Sequence, residues 1–150
     1  MTPRNELEAI FPNLRTCRWD ITSEPDGEYN CIAWAVGWTN KPWWPNDFAH
    51  WPEGVPLEET VDSFVAALGT VGFVQCDDDR VEEGFEKVAL FALDGIKKHA
   101  ARQLTDGQWT SKLGREHDIT HATLKGVEGD IYGAVIMFLK RMHVPGPINA

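Results

Sequence analysis

The chain has 150 residues, of which 43% are hydrophobic and 25% are charged, a balance typical of a single globular domain spanning residues 1–150. Its formal net charge of −9 argues against partners such as nucleic acid or an anionic membrane surface, because binding to both depends on clustered lysine and arginine. No apolar run approaches the roughly 20 residues that span a bilayer, and the N-terminus lacks a signal-peptide pattern. The sequence therefore predicts a cytoplasmic protein, unless a signal-independent route exports it.

The first half of the chain is predicted to contain a short amphipathic segment at the N-terminus, followed by two helices. Residues 5–14 form a short amphipathic start. Asn30 is a candidate N-cap for a buried helix that begins at Cys31 and ends at Gly37. Residues 42–52 are dense in tryptophan and proline, which predicts an ordered loop clamped by its rings. The next helix is predicted over residues 57–72, where the apolar residues with helical spacing are Leu57, Val61, Phe64, Val65 and Leu68.

The second half is predicted to contain antiparallel strands followed by a helix. The strand segments are GFVQC, EKVALFALDG, HAARQL and QWTSK. Asp106-Gly107 predicts a two-residue hairpin turn between the last two. Residues 124–142 fit a C-terminal helix with an apolar stripe of Ile131, Val135, Phe138 and Leu139. This order predicts the α+β class, with N-terminal helices packed on a small antiparallel sheet and a C-terminal helix.

Cys31 is a candidate nucleophile because unpaired N–H groups at a helix start favour a thiolate. The alternative is a small buried core residue, since free cysteines are among the most buried residues. Cys17 lies in a connector and Cys76 ends an apolar strand, so neither competes well for this role. With three cysteines and no CxxC spacing, a disulfide framework is not predicted.

His99 is the candidate base, because it opens a strand at the end of the predicted sheet. His121 is its main competitor. The third polar group that fixes an imidazole would come from the returning strand, where Ser111, Thr110 and Lys112 are available. A two-residue turn places Thr110 and Lys112 on the side of His99, whereas a longer turn or a bulge places Ser111 there.

Metal and cofactor sites have little support in the sequence. His117 and His121 form an i, i+4 pair, but no third ligand accompanies them. A glycine-rich phosphate loop is also missing from the sequence. We therefore predict no metal and no cofactor.

Asn30-Cys31-Ile32-Ala33-Trp34 resembles the signature around the nucleophile of the NlpC-like cell-wall hydrolases, which belong to the papain-like superfamily of cysteine peptidases and amidases. The order of the later strands is similar too, and the resemblance implies the catalytic set Cys31, His99 and Ser111 on a papain-like fold. The segments NCIAW, HAARQL and WTSKLG also resemble an uncharacterised bacterial family.

The resemblance implies hydrolysis of an amide bond through a thioester, with His99 protonating the leaving amine. Asn30 would give local support, and Trp34, Trp43 and Trp44 would line a substrate groove. The substrate would be a peptide or protein, with peptidoglycan among the candidates. A hypothesis of a different class is a non-catalytic binding or regulatory module, in which loop 42–52 forms an aromatic contact surface.

Overall fold

The computed structural model describes residues 2–143 and is dominated by β-strands. Within this range, its helices are α1 (Pro3–Ile10), α2 (Cys31–Val36) and α3 (Val61–Gly69), and two 3₁₀ turns span Pro12–Thr16 and Leu124–Val127. The strands are β1 (Trp19–Ile21), β2 (Val74–Cys76), β3 (Phe85–Leu93), β4 (Ile96–Gln103), β5 (Trp109–Lys112), β6 (Asp118–His121) and β7 (Ala134–Met142). None of the helices in residues 2–143 has the length and apolar content needed to cross a membrane.

All seven strands of the described residues belong to one antiparallel sheet, in the order β1-β6-β5-β4-β3-β7-β2. The long strand β3 lies between β4 and β7 and pairs with both. The predicted α+β fold, with N-terminal helices packed on a small sheet and a papain-like arrangement, is therefore wrong. The sheet is large and the helices are short, because β1, β6 and β7 extend it beyond the strands that the sequence indicated.

The predicted C-terminal helix is also wrong, since residues 134–142 form β7. The apolar spacing of this segment fits a helix, but its β-branched and aromatic residues also suit a strand, and pairing with β3 decides the outcome. Gly133 permits the close approach of β7 to β3. A Cβ atom on Gly133 would lie 2.0 Å from the carbonyl oxygen of Ala92, and its φ is +73°.

The sheet has a hydrophobic core on each side. Val88 and Leu90 of β3 pack in the first core, whereas Ala89 and Phe91 pack in the second, as the alternation of side chains along a strand requires. Helices α2 and α3 cover the first core, and α1 with the 3₁₀ turns covers the second. The predicted helix at Cys31 is thus confirmed, and the helix predicted over residues 57–72 is confirmed only over Val61–Gly69, since Leu57 lies outside it and is exposed. Both helices lie on the same side of the sheet.

We predict that Gly133→Ala lowers the free energy of unfolding by at least about 2 kcal/mol more than Gly95→Ala does, because its new Cβ must displace the backbone of β3. Gly95 is the matched control: its φ is +81°, but nothing lies within 4 Å of a Cβ built there. Urea denaturation measures both values. If residues 124–142 were a helix, Gly133→Ala would instead stabilise the protein by about 1 kcal/mol.

Candidate active site

Cys31 is the first residue of α2, and Asn30 caps this helix. The Asn30 side-chain oxygen accepts a hydrogen bond from the Ala33 N–H at 3.1 Å. The apolar residues that follow Cys31 pack in the first core, which explains why so short a helix is stable. Cys31 itself is 7% exposed and is therefore one of the buried residues of this core.

Asn30 also joins the start of α2 to loop 42–52. Its side chain accepts a hydrogen bond from the Trp43 N–H at 3.1 Å and donates one to the Trp43 carbonyl at 2.7 Å. The Trp43 ring is fully buried, and the rings of Trp44 and Trp51 pack on Phe64. The loop is thus clamped by rings that point inward.

A β-bulge in β4 determines which side chains lie beside Cys31. Phe91 pairs with His99, but the next residue of β3, Ala92, pairs with Lys97, so Lys98 is an extra residue. Neighbouring residues of β3 point to opposite sides of the sheet, and their partners do the same. Lys97 therefore lies on the side of α2, and His99 lies on the other side.

Lys97 is 1% exposed, and its ammonium group contacts Cys31, with Nζ lying 3.6 Å from Sγ. Nζ also lies 4.2 Å from the ring centre of Phe64 and 4.9 Å from that of Trp44. Burial lowers the pKa of Lys97 from its usual value, while the charge of Cys31 and its hydrogen bond oppose that shift. The buried Lys97 side chain and the Cys31 thiol thus form a direct pair.

The turn between β4 and β5 places Ser111 on the side of His99. Gln103 pairs with Trp109, and the Leu104 N–H donates to the Gln108 carbonyl at 2.7 Å, which leaves a three-residue loop, 105–107, instead of the predicted two-residue turn. Gly107 has a φ of +92° and its N–H donates to the Leu104 carbonyl at 3.0 Å. The longer loop reverses the parity of β5, which is the condition under which Ser111 was expected beside His99.

His99, Ser111 and His121 form a buried chain of hydrogen bonds in which every proton can be assigned. His121 Nδ1 must donate to the Thr123 carbonyl, 2.8 Å away, because a carbonyl oxygen only accepts. Burial lowers the pKa of His121 to about 4, so His121 is neutral at pH 7 and its Nε2 accepts from the Ser111 hydroxyl at 2.7 Å. The Ser111 oxygen then accepts from His99 Nε2 at 2.9 Å.

These assignments leave His99 Nδ1 unprotonated. This nitrogen is fully buried and has no hydrogen-bond partner within the described residues. Burial lowers the pKa of His99 well below its usual value, and the charges of Lys97 and His121 lower it further. His99 is therefore a neutral imidazole with a free lone pair, held in one tautomer by Ser111.

Tyr132 contacts His99, and its pKa responds to the charge of Cys31. Its ring stacks on the His99 ring, with centres 4.0 Å apart and planes 2° apart. Its pKa is raised by burial and, to a smaller extent, by the charge of Cys31. Tyr132 is half-buried, whereas the His99 ring on which it stacks is fully buried.

The other candidate residues from the sequence have structural contacts. Thr110 donates to the Ile119 carbonyl and accepts from the Trp34 indole at 2.9 Å. Lys112 Nζ donates to three backbone carbonyls, of Asp26, Gly114 and Glu116. Of the three tryptophans predicted to line a groove, Trp44 lies beside Lys97, whereas Trp34 lies against Arg102 and Trp43 is part of the core.

Cys31 and His99 are not joined by a hydrogen bond in residues 2–143; the thiol contacts Lys97 instead. Sequence reasoning missed Lys97 and Tyr132, and treated His121 as a competitor of His99 rather than as part of its chain. Nothing in the sequence separates Lys97 from Lys98, because the bulge depends on pairing with β3. Tyr132 was missed because its segment has helical spacing.

A cavity of about 740 Å³ lies away from these residues, between segments 81–86 and 102–106 and beside His143. Across residues 2–143, no cluster of three histidine, cysteine or carboxylate side chains could hold a metal ion. His117 Nδ1 contacts the Ser23 carbonyl, and the segment around it is the strand β6 rather than a helix.

Residues 20–140 match a family described as a domain of unknown function (DUF7689). Neither the curated proteins nor the solved structures contain a match to the chain.

We predict that the difference in stability between the wild type and His121→Gln narrows as the pH falls from 6.5 to about 4. In this range an unfolded His121 binds a proton and the folded one does not, so acid removes stability from the wild type alone. The narrowing should approach roughly 1.4 kcal/mol per pH unit. Urea denaturation at several pH values measures it, and a constant difference would contradict a buried neutral His121.

Proposed function

Since the chain belongs to this family of unknown function, we propose its activity from the site itself: it hydrolyses an amide bond through a thioester on Cys31, with His99 as general base. The observation that carries this proposal is the unpartnered lone pair of His99 Nδ1. Buried polar atoms without partners are rare in folded proteins, and an oriented neutral imidazole is what a general base requires.

The chemistry proceeds in two steps. In the first, Cys31 Sγ attacks the carbonyl carbon of the amide, the C–N bond breaks and the amine leaves with the proton that the thiol has given up. In the second, water attacks the thioester, His99 Nδ1 takes a proton from that water, and the C–S bond breaks to return the thiolate. The proton on His99 then replaces the one that left with the amine, which restores the neutral imidazole. His99 and Cys31 lie on opposite sides of the sheet, so this role requires proton transfer through water near the start of β4, where the charge of Lys97 acts on His99 and that of Cys31 acts on Tyr132, the neighbour of His99.

Ser111 and His121 support the base without touching the substrate. The chain that ends at the Thr123 carbonyl keeps the proton of His99 on Nε2, which leaves Nδ1 as the acceptor. They are therefore positioning residues. Loss of Ser111 would leave His99 free to change tautomer, because its Nε2 would no longer have an acceptor.

The substrate class proposed is a peptide or protein amide, including the stem peptides of peptidoglycan. The half-buried Trp44 beside Lys97 offers an apolar wall to such a substrate. All three cysteines are free thiols, which suits a reducing compartment. We therefore propose a cytoplasmic substrate, or a peptidoglycan substrate if a signal-independent route exports the chain.

Binding through loop 42–52 has less support. Trp43 is part of the core, and the half-buried rings of Trp44 and Trp51 pack inward on Phe64, so the loop does not present these rings as an exposed contact surface. Phe48, which is 97% exposed, is the exception. An isolated exposed ring is ordinary on a protein surface and does not define a docking site.

We predict that p-nitrophenyl acetate transfers its acetyl group to Cys31, and that the wild type then hydrolyses this thioester. His99→Gln keeps the size of the side chain but removes the base, so the acetylated protein should accumulate and lose its acetyl group about 100-fold more slowly. Intact-mass spectrometry with peptide mapping follows the adduct over time. Peptide libraries and peptidoglycan fragments, tested against the wild type and Cys31→Ala, then identify the natural amide.

Cys76→Ser is the matched control, because Cys76 is a free thiol outside the site and its loss should change neither step. Acetylation of Cys31→Ala at the wild-type rate would show that another residue is the nucleophile. Equal rates of thioester hydrolysis in the wild type and His99→Gln would remove His99 from the mechanism.

A further inference from the structure

Cys31 is paired with a cation that the sequence did not point to. Lys97 Nζ lies 3.6 Å from Sγ, and this is the hydrogen bond that the described residues provide for the ammonium group. The rings of Phe64 and Trp44 complete its surroundings. Glu59, the nearest carboxylate to act on Lys97, is exposed and forms no ion pair with it within residues 2–143.

We infer that Lys97 is a catalytic residue of the proposed hydrolase: its ammonium group holds Cys31 as a thiolate and then donates a proton to the leaving amine. The inference rests on the proposed function and assigns this chemistry to Lys97 instead of His99. A buried ammonium without an anion is costly, and the thiolate is the nearest group able to offset that cost.

His99 is poorly suited to hold the thiol proton. Burial, Lys97 and His121 all disfavour its charged form, so it is neutral at pH 7 and cannot form a stable ion pair with a thiolate. It also lies on the other side of the sheet from Lys97. Outside a protein core, lysine keeps a proton far more strongly than imidazole does, and the charge of Cys31 opposes the lowering of the Lys97 pKa by burial.

The protons balance over one turnover. The resting site holds a thiolate, an ammonium and a neutral imidazole. During acylation the C–S bond forms, the C–N bond breaks and Lys97 gives its proton to the amine. During deacylation His99 Nδ1 takes a proton from water as the C–S bond breaks, and that proton then returns through water to the neutral Lys97 amine on the other side of the sheet. The net reaction consumes one amide and one water and releases an acid and an amine.

The test is the rate at which iodoacetamide alkylates Cys31 at pH 7, which needs no knowledge of the substrate. Lys97→Met keeps the length and apolar stem but removes the charge, so alkylation should be roughly tenfold slower or more. Lys97→Arg keeps a cation and should recover much of the rate. Peptide mapping assigns the label to Cys31.

Lys87→Met is the matched control. Lys87 is also 1% exposed and lies on the neighbouring strand β3, but its ammonium contacts Asp78 rather than a thiol. Its loss should perturb the fold comparably while leaving alkylation of Cys31 unchanged. Urea denaturation of both methionine variants confirms that they are folded under the conditions of the assay.

The outcomes separate the two proposals. Equal alkylation of the wild type and Lys97→Met overturns the role of Lys97, whatever the activity. Slow alkylation of Lys97→Met, without thioester hydrolysis by the wild type, keeps the thiolate pair and refutes the hydrolase. With an amide substrate, Lys97→Met should lower kcat while leaving KM unchanged, and a wild-type kcat in that variant overturns the inference but keeps the hydrolase.

Discussion

The pairing of β3 with β4 on one side and with β7 on the other is the constraint on which the other features depend. Its backbone hydrogen bonds fix the register of both neighbours at once. Its alternating side chains supply both cores, with Val88 and Leu90 on one side and Ala89 and Phe91 on the other. The same pairing sets where the bulge in β4 occurs and brings Gly133, and with it Tyr132, against the end of β3.

The sheet therefore holds two groups of buried polar residues, one on each side. Cys31 and Lys97 lie with α2 and α3, whereas His99, Ser111 and His121 lie with the second core. Buried polar groups destabilise a fold unless they are paired, and nearly all atoms of these groups are paired. His99 Nδ1 is an exception within residues 2–143, and Tyr132, which contacts His99 and responds to the charge of Cys31, links the two groups.

Sequence patterns that act over a few neighbouring residues predicted correctly the elements that such short-range interactions stabilise. The cap at Asn30 and the spacing of α3 gave both helices, since capping and helical periodicity act within a few residues. The C-terminal segment was misjudged because its partner strand lies about 50 residues earlier, and β-structure depends on such partners. The family resemblance identified Ser111 as a candidate, but the side of the sheet on which it lies depended on the length of the turn between β4 and β5. The sequence could not identify Lys97, because only the pairing of β4 with β3 distinguishes it from Lys98.

The extra residue in β4, Lys98, changes which residues of this strand lie on the same side of the sheet. Lys97 and His99 are separated by one residue, as two residues on the same side of a regular strand would be, yet Lys98 turns them to opposite sides. A relative that kept this residue but paired the two strands without a bulge would bring its lysine to the side of the imidazole and leave the thiol without a cation. A relative that lacked the residue would keep the lysine opposite the imidazole, because consecutive residues of a regular strand face opposite sides. Among related chains, the spacing between lysine and histidine has to be considered together with the pairing of the two strands to decide which members keep a charged partner for the cysteine.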